Sequence, residues 1–160
     1  MKTYTCLLPV LLVLTLSLPG PARADMGSSG GMYTAPADPD FDRAQKEIKA
    51  RNWVAAIELL NKALARDPAN AEIQNQLGFA ERNRGDLDAA FKHYERALAL
   101  NPKHRGAHEY VGEAYLMTNN LAKAEEHLAI LDKLCFLPCG EYRDLKAAIA
   151  AYKKQNPKRD

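Results

Sequence analysis

Two closely spaced cysteines are the residues whose types and separation most directly suggest chemistry. Cys135 and Cys139 are four positions apart near a predicted helix end, and this spacing can bring two α-carbons within the ~4.4–6.8 Å that a disulfide requires. A reduced pair could instead carry out redox chemistry or bind copper(I), which favours thiolate ligands. The chain has no Cys-x-x-Cys motif, and the intervening Phe136-Leu137-Pro138 predicts a buried segment. We predict a structural disulfide, with a thiol or copper site as the alternative.

The four histidines suggest a second kind of chemistry, metal binding. His104 and His108 are one helical turn apart, a spacing at which two imidazoles can chelate a metal, and Glu109 is a nearby carboxylate. His93 and His127 hold equivalent places in successive helices and could approach each other. Neither pair has an evident third ligand, and packing or surface roles account for all four. We therefore predict no metal site and no cofactor.

No group of residues in the sequence indicates a reaction. The chain contains no nucleotide-binding loop motif and no nucleophile elbow, and no pair of carboxylates has a recognisable pocket around it. We therefore predict that the protein is not an enzyme and has no catalytic residues.

The first 24 residues have the pattern of a secretory signal peptide. Lys2 gives a positive start, residues 7–18 are almost wholly apolar, and Ala22-Arg23-Ala24 provides small residues two apart, which predicts cleavage after Ala24. The apolar run is shorter than the ~20 residues of a membrane-spanning helix, and Cys6 precedes it, unlike the cysteine of a lipoprotein. We predict a secreted, periplasmic protein without a membrane span, in a compartment where disulfides form.

Charge and composition restrict the partners of the exported chain. Once Lys2 and Arg23 are removed, 20 basic side chains remain against 20 acidic ones, so no nucleic-acid partner is predicted. Residues 25–39 are rich in glycine, serine and proline and predict a flexible leader. Residues 40–155 form the predicted helical domain, and residues 156–160 form a short tail.

Apolar spacing and turn residues predict helices along the whole domain. Apolar side chains recur every three or four positions, and Asp67-Pro68, Gly85-Asp86 and Asn101-Pro102 interrupt the pattern. The result is three helical hairpins. A last amphipathic helix over about 141–154 is predicted to cover the apolar flank of the third hairpin.

The hairpins also repeat in sequence, with a period of 34 residues. Three windows, about 37–70, 71–104 and 105–138, align so that small and apolar residues coincide. The second and third windows match at Gly78 and Gly112, Ala80 and Ala114, Leu87 and Leu121, Ala90 and Ala124, and His93 and His127. A period of this length predicts stacked helical hairpins, because each hairpin can bury its apolar face only against a neighbour.

These residues resemble the tetratricopeptide repeat. The resemblance rests on Leu77-Gly78, Ala90, Tyr94, Ala97 and Pro102 in the second window and on Val111-Gly112, Tyr115, Ala124 and Leu128 in the third. The resemblance implies an all-α, right-handed solenoid in which Gly78 and Gly112 let paired helices approach closely. The chain is also similar to small secreted proteins of this family in Gram-negative bacteria.

The resemblance further implies a binding groove on the first helices of the hairpins. Positions there that do not serve packing would face an extended peptide or a partner helix. These positions are Asn75, Phe79, Arg82, Asn83, Glu109, Glu113, Leu116 and Met117. Apolar contact would come from Phe79 and Leu116, and Arg82 would be a donor to the ligand.

The sequence thus predicts a periplasmic scaffold or adaptor that binds a protein or peptide through a concave groove, with a homo-oligomer as an open possibility. The alternative is a periplasmic metal- or thiol-handling protein that uses Cys135 and Cys139 with nearby histidines.

Overall fold

The structure is a computed structural model that describes residues 38–157. The predicted signal peptide and nearly all of the predicted leader lie outside these residues, as does the end of the tail. Within residues 38–157 all regular structure is α-helical, which confirms the all-α solenoid. The seven helices are α1 (Pro39–Lys49), α2 (Trp53–Arg66), α3 (Ala71–Arg84), α4 (Leu87–Leu100), α5 (Arg105–Met117), α6 (Leu121–Leu134) and α7 (Gly140–Gln155).

The turns of the three hairpins follow the sequence period. Arg51, Gly85 and Asn119 are 34 positions apart and are the residues of positive φ in the described hairpins, at 60°, 99° and 59°. Only the second is glycine, the residue that adopts this conformation without steric cost. The recurrence of the same turn conformation explains why α2, α4 and α6 begin in phase.

Polar side chains fix the beginnings of the helices. Asn70 accepts hydrogen bonds from two backbone N–H groups of α3, and Asp86 and Asn120 each accept one at the starts of α4 and α6. Asp38 caps α1 in the same way and also pairs with Arg66 of α2, with Nη2 to Oδ1 at 2.7 Å. The start of α1 therefore includes Asp38 and Pro39, the last two residues of the segment predicted as leader.

Gly78 provides the close contact within the second hairpin that the sequence predicts. A Cβ atom at this position would lie 2.5 Å from Cε1 of Tyr94, whose ring is fully buried on α4. The two helices therefore nest through a glycine on one side and an aromatic ring on the other.

The close approach at Gly112 involves a different helix from the one predicted. A Cβ atom there would lie 2.7 Å from Cδ2 of Leu145 on α7, so Gly112 accommodates the closing helix and not its hairpin partner α6. Leu145 and Ile149 join Leu116 and Leu131 in one buried cluster. This cluster supports the predicted role of α7 as the element that covers the third hairpin.

The segment between α6 and α7 corrects one prediction from the sequence. Phe136 and Leu137 are 101% and 73% exposed, so the loop between the two cysteines is not buried. The helix before it, α6, ends at Leu134, which is equivalent to the last residue of α4. The bond between Cys135 and Cys139 closes a loop too short to fold back on the core, and its apolar residues therefore face solvent.

Candidate functional site

The candidate site is the surface formed by α3 and α5, which we call the inner face. Helices α3 and α5 contact each other directly, although they belong to different hairpins. Most of the groove residues predicted from the sequence lie here: Asn75, Phe79, Arg82 and Asn83 on α3, and Glu109 and Glu113 on α5. Two of the eight predicted residues, Leu116 and Met117, have other surroundings.

Three aromatic rings form a continuous row, with Phe79 and Tyr110 on the inner face and Trp53 at the start of α2. The ring of Phe79 packs edge-on against Trp53, with centroids 6.0 Å apart, and its other side contacts Tyr110 at 4.8 Å. Trp53 and Tyr110 were not among the predicted groove residues. The spacing did carry a signal for Tyr110, because it lies three positions before Glu113 and thus on the same side of α5.

Arg82 and Glu113 form an ion pair in the middle of this row. Arg82 Nη1 donates to Glu113 Oε2, and the guanidinium lies 5.5 Å from the Phe79 ring centroid and 5.6 Å from that of Tyr110. The Arg82 side chain is only 11% exposed. The sequence predicted Arg82 as a donor to a ligand, but its charge is already paired with Glu113 and lies beside both rings.

A recess of about 440 Å³ lies at one end of the aromatic row. Trp53 and Phe79 line it together with Ile48, Lys49 and Asn83. The Asn83 side-chain Nδ2 donates to the backbone oxygen of Phe79 at 2.8 Å, so this bond does not use the Asn83 side-chain oxygen. This aromatic recess offers apolar surface with a polar edge, a combination suited to a side chain of a bound segment.

A second recess, of about 390 Å³, lies at the other end of the row. Its lining includes Asn75, Glu109 and Tyr110 from the inner face, Glu72 from α3, Glu141 from α7, and the basic side chains of Lys103, His104 and Arg105. We call it the acidic recess. Tyr110 lines the acidic recess and also contacts Phe79, so the two recesses are connected through the aromatic row.

Glu109 is the most perturbed carboxyl group of the acidic recess. Burial and, after it, the negative charges of Glu113, Asp144 and Glu141 together raise its pKa to about 7, while Arg82 acts in the opposite direction. Within residues 38–157, Glu109 has neither a hydrogen bond nor an ion pair of its own. Burial also raises the pKa of Tyr110 to about 12, so its hydroxyl remains protonated at neutral pH.

Asn75 supplies an unsatisfied acceptor in the same recess. Its side chain is 2% exposed, and its Oδ1 atom has no hydrogen-bond partner among the described residues. The Glu72 carboxylate accepts from the Asn75 amide, which assigns the Nδ2 group to that side and leaves Oδ1 as the open acceptor.

Leu116 does not belong to the accessible inner face as predicted. Leu116 is 9% exposed and packs in the buried cluster with Leu145 and Ile149 of α7. The closing helix therefore covers a residue that was expected to contact a ligand. Met117 is 54% exposed at the end of α5 and remains accessible.

The histidines have structural partners. His104 caps α5 by accepting from Ala107 N–H at 3.2 Å, and its Nε2 lies 3.0 Å from a Glu72 oxygen. His108 Nε2 donates to the Pro102 carbonyl at 3.0 Å.

The structure therefore pairs the histidines differently from both sequence pairings. His108 Nδ1 lies 2.9 Å from Nδ1 of His127, whose pKa burial lowers to about 4, and His93 lies 2.8 Å from Gln74 Oε1. Residues 38–157 contain no group of three or more side chains arranged to hold a metal ion. Cys135 and Cys139 are bonded to each other, so the pair carries no free thiol.

The fold and the inner face together define an α-solenoid repeat protein, built from helical hairpins and closed by a terminal helix. Two sequence profiles described as tetratricopeptide repeat match residues 41–99 and 81–149, which together span the domain. The chain belongs to the tetratricopeptide repeat family. Among its described residues, no helix has the length and apolar content required to cross a bilayer.

A curated human protein shares sequence with part of this chain. It is Protein O-mannosyl-transferase TMTC3 of Homo sapiens, which is 32% identical over 75 residues, corresponding to 47% of this chain and 8% of the human protein. The chain thus spans a small fraction of that relative's length.

Solved structures resemble this chain over most of its length. The type III secretion translocator chaperone SycD of Yersinia enterocolitica superposes with a TM-score of 0.65 at 16% identity, covering 74% of this chain and 83% of that chain. The Sgt2 domain of Aspergillus fumigatus has a TM-score of 0.65 at 19% identity, with 76% and 82% covered. The second such domain of human RPAP3, solved with an HSP70 peptide, has a TM-score of 0.62 at 21% identity, with 71% and 92% covered. These likenesses confirm the fold.

Proposed function

We propose that this protein is a secreted, periplasmic adaptor that binds a segment of another protein along its inner face and catalyses no reaction. The observation that carries the proposal is the row formed by Trp53, Phe79 and Tyr110, which connects a recess at each end. An extended segment could place its apolar side chains against the rings and further side chains into the two recesses.

Peptide complexes of proteins with the same fold support this proposal. SycD has been solved with a peptide of the translocator YopD, and the second domain of human RPAP3 with the HSP70 peptide SGPTIEEVD. A domain of three hairpins offers a limited surface, so we expect modest affinity for a single segment. Tight binding would require several contacts at once.

Location is part of the proposal and has its own test. Expression of the full chain in a Gram-negative host, followed by fractionation, is expected to place the protein in the periplasm. Intact mass is expected to show a chain that begins at Asp25. Recovery of the uncleaved chain in the cytoplasm would contradict the predicted export.

Partner capture from periplasmic extract tests the binding surface. Immobilised wild-type protein is compared with Phe79→Ala, which removes the central ring of the row, and with Ile130→Ala, which removes an exposed apolar side chain on α6. Thermal unfolding first establishes that both variants are folded. We expect partners that Ile130→Ala retains and Phe79→Ala loses. Equal recovery by both variants would discard the inner face as the binding surface.

A further inference from the structure

The acidic recess contains two acceptors that nothing in the described structure satisfies. Glu109 has no hydrogen bond or ion pair, and Asn75 Oδ1 has no hydrogen-bond partner although the side chain is 2% exposed. A buried acceptor without a donor costs free energy, so native proteins rarely retain one without a reason. A ligand that brings donors would satisfy both groups.

The charges around the recess indicate a positively charged donor. Glu141 and Asp144 on α7 and Glu113 on α5 all act on Glu109 as like charges. Glu113 is paired with Arg82 and Glu141 with Arg105, so among these four carboxyl groups only Glu109 and Asp144 have no ion pair within residues 38–157. A cation in the recess would relieve this repulsion, whereas an anion would increase it.

Lys103, His104 and Arg105 also line the recess, but none of them pairs with Glu109. Arg105 lies 3.5 Å from Glu141 and is half exposed, so it lies at the rim. His104 is engaged on both ring nitrogens, by the Ala107 N–H and by Glu72. Lys103 is also exposed in the loop before α5. No basic side chain within residues 38–157 is therefore paired with Glu109.

Gly106 provides room beside the unsatisfied amide. A Cβ atom at this position would lie 3.2 Å from Asn75 Nδ2, closer than side chains normally approach. Gly106 lines the recess itself, and the absence of a side chain there keeps its wall next to Asn75 open.

We propose that the acidic recess binds a lysine or arginine side chain of the partner segment, whose head group donates hydrogen bonds to the Glu109 carboxylate and to Asn75 Oδ1. This inference rests on the proposed function, because it assigns one contact of the segment that lies along the inner face. Tyr110 connects the recess to the aromatic row, so apolar residues next to the cation would contact Phe79. The partner segment is thus basic and apolar.

The proposal includes a dependence on pH. Glu109 must be ionised to pair fully with a cation, and its pKa in the free protein is about 7. The charged groups that act on it are Glu113 on its own helix, Glu141 and Asp144 on α7, and Arg82 on α3, and the same recess is lined by Glu72, Lys103, His104 and Arg105. Binding of a lysine-containing segment is expected to strengthen as pH rises from about 6 to about 8.

Selection from a random library of peptides about 12 residues long, displayed on phage, tests the inference directly. The exported form of the protein, residues 25–160, is used as bait, beside Glu109→Gln and the matched control Glu95→Gln on the exposed side of α4. We expect the selected peptides to be enriched in lysine or arginine next to apolar residues. A synthetic copy of the leading peptide is expected to bind Glu109→Gln at least about tenfold more weakly, and Glu95→Gln as it binds wild type.

Replacement of the basic residue of that synthetic peptide by norleucine gives the reciprocal measurement. Tenfold weaker binding to wild type, with no further loss on Glu109→Gln, would support the assigned contact. Selected peptides that are acidic or neutral, or that bind Glu109→Gln normally, would overturn the inference and leave the inner face as a binding surface. If Phe79→Ala, used as a further bait, selects every peptide that wild type selects, the proposed function would be overturned as well.

Discussion

Arg82 of α3 and Glu113 of α5 join the first helices of two successive hairpins by an ion pair whose guanidinium lies beside the rings of Phe79 and Tyr110. The pair connects hairpins that otherwise meet mainly through apolar side chains. Because the two charges neutralise each other, the polar groups of the inner face that a ligand would contact are those of Glu109 and Asn75.

Removal of one partner of this ion pair is expected to destabilise the fold. Arg82→Met keeps most of the side-chain volume but leaves Glu113, which is 26% exposed, without its cation. We expect the free energy of unfolding to fall by about 1–3 kcal/mol. Urea denaturation of Arg82→Met, Glu113→Gln and the double variant measures the coupling. Strictly additive losses would show that the two side chains do not interact.

Gly78 is expected to tolerate no larger residue. In Gly78→Ala the new methyl group would lie 2.5 Å from the buried ring of Tyr94 and force α3 and α4 apart. The expected loss is about 1–3 kcal/mol, measured by thermal or urea unfolding. Gly140→Ala is the matched control, because a Cβ atom there meets nothing within 4 Å. Equal stability of the two variants would contradict the close packing.

Adjacent residues at the end of α5 are expected to differ sharply in their effect on stability. Leu116→Ala opens a cavity under α7 and should cost about 2–4 kcal/mol, whereas Met117→Ala alters an exposed side chain and should change stability by less than about 0.5 kcal/mol. Chemical denaturation of both variants provides the measurement. A small effect of Leu116→Ala would make that residue an accessible groove position after all.

Stability is expected to depend on the ionisation of Glu109. Its pKa in the folded protein is about 7, above the ordinary value of 4.5. The unfolded chain therefore loses its proton first as pH rises, and the folded state becomes less stable between pH 4.5 and 7. Glu109→Gln should match wild type at about pH 4 and exceed it at about pH 8 by about 1 kcal/mol after screening by solvent.

Glu95→Gln is the control for this comparison, because it removes a carboxylate from the exposed side of α4. Unfolding of all three proteins by urea at about pH 4, 6 and 8 gives the required differences. A constant difference between Glu109→Gln and wild type across this range would contradict the raised pKa.

The disulfide is expected to contribute modestly to stability. The bond between Cys135 and Cys139 closes a very short loop, so the chain-entropy contribution is about 2 kcal/mol. Cys135→Ser/Cys139→Ser should lower the midpoint of thermal unfolding, and a reducing agent should lower the wild-type midpoint to a similar value. Thiol titration of the unreduced protein should find no free thiol in the exported chain. Two titratable thiols would revive the thiol-handling alternative.

The sequence was sufficient to predict the architecture because the 34-residue period recurs both in the turns and in the packing of the helices. Turn residues 34 positions apart set the hairpins, and the family resemblance implied the close approach of two helices at Gly78 that the structure contains. Apolar periodicity also predicted α7 and its role.

The sequence failed where a residue's environment depends on an element distant in the chain. Leu116 looks like a groove residue from α5 alone, and only the position of Leu145 on α7 shows that it is covered. Phe136 is apolar, so burial was expected, but the short loop closed by the cysteines turns it outward. Tyr110 and Trp53 were missed because their roles depend on rings contributed by other helices.

The closing helix also determines how an array of this kind can lengthen. Leu145 occupies the space over Gly112, so a fourth hairpin appended after α6 would compete with α7 for the same surface. Duplication of a repeat unit is sterically compatible at the internal boundaries near Asn70 and His104, where one hairpin already stacks on the next. The array would therefore lengthen by insertion of a repeat between existing hairpins, and α7 would still cover the last hairpin.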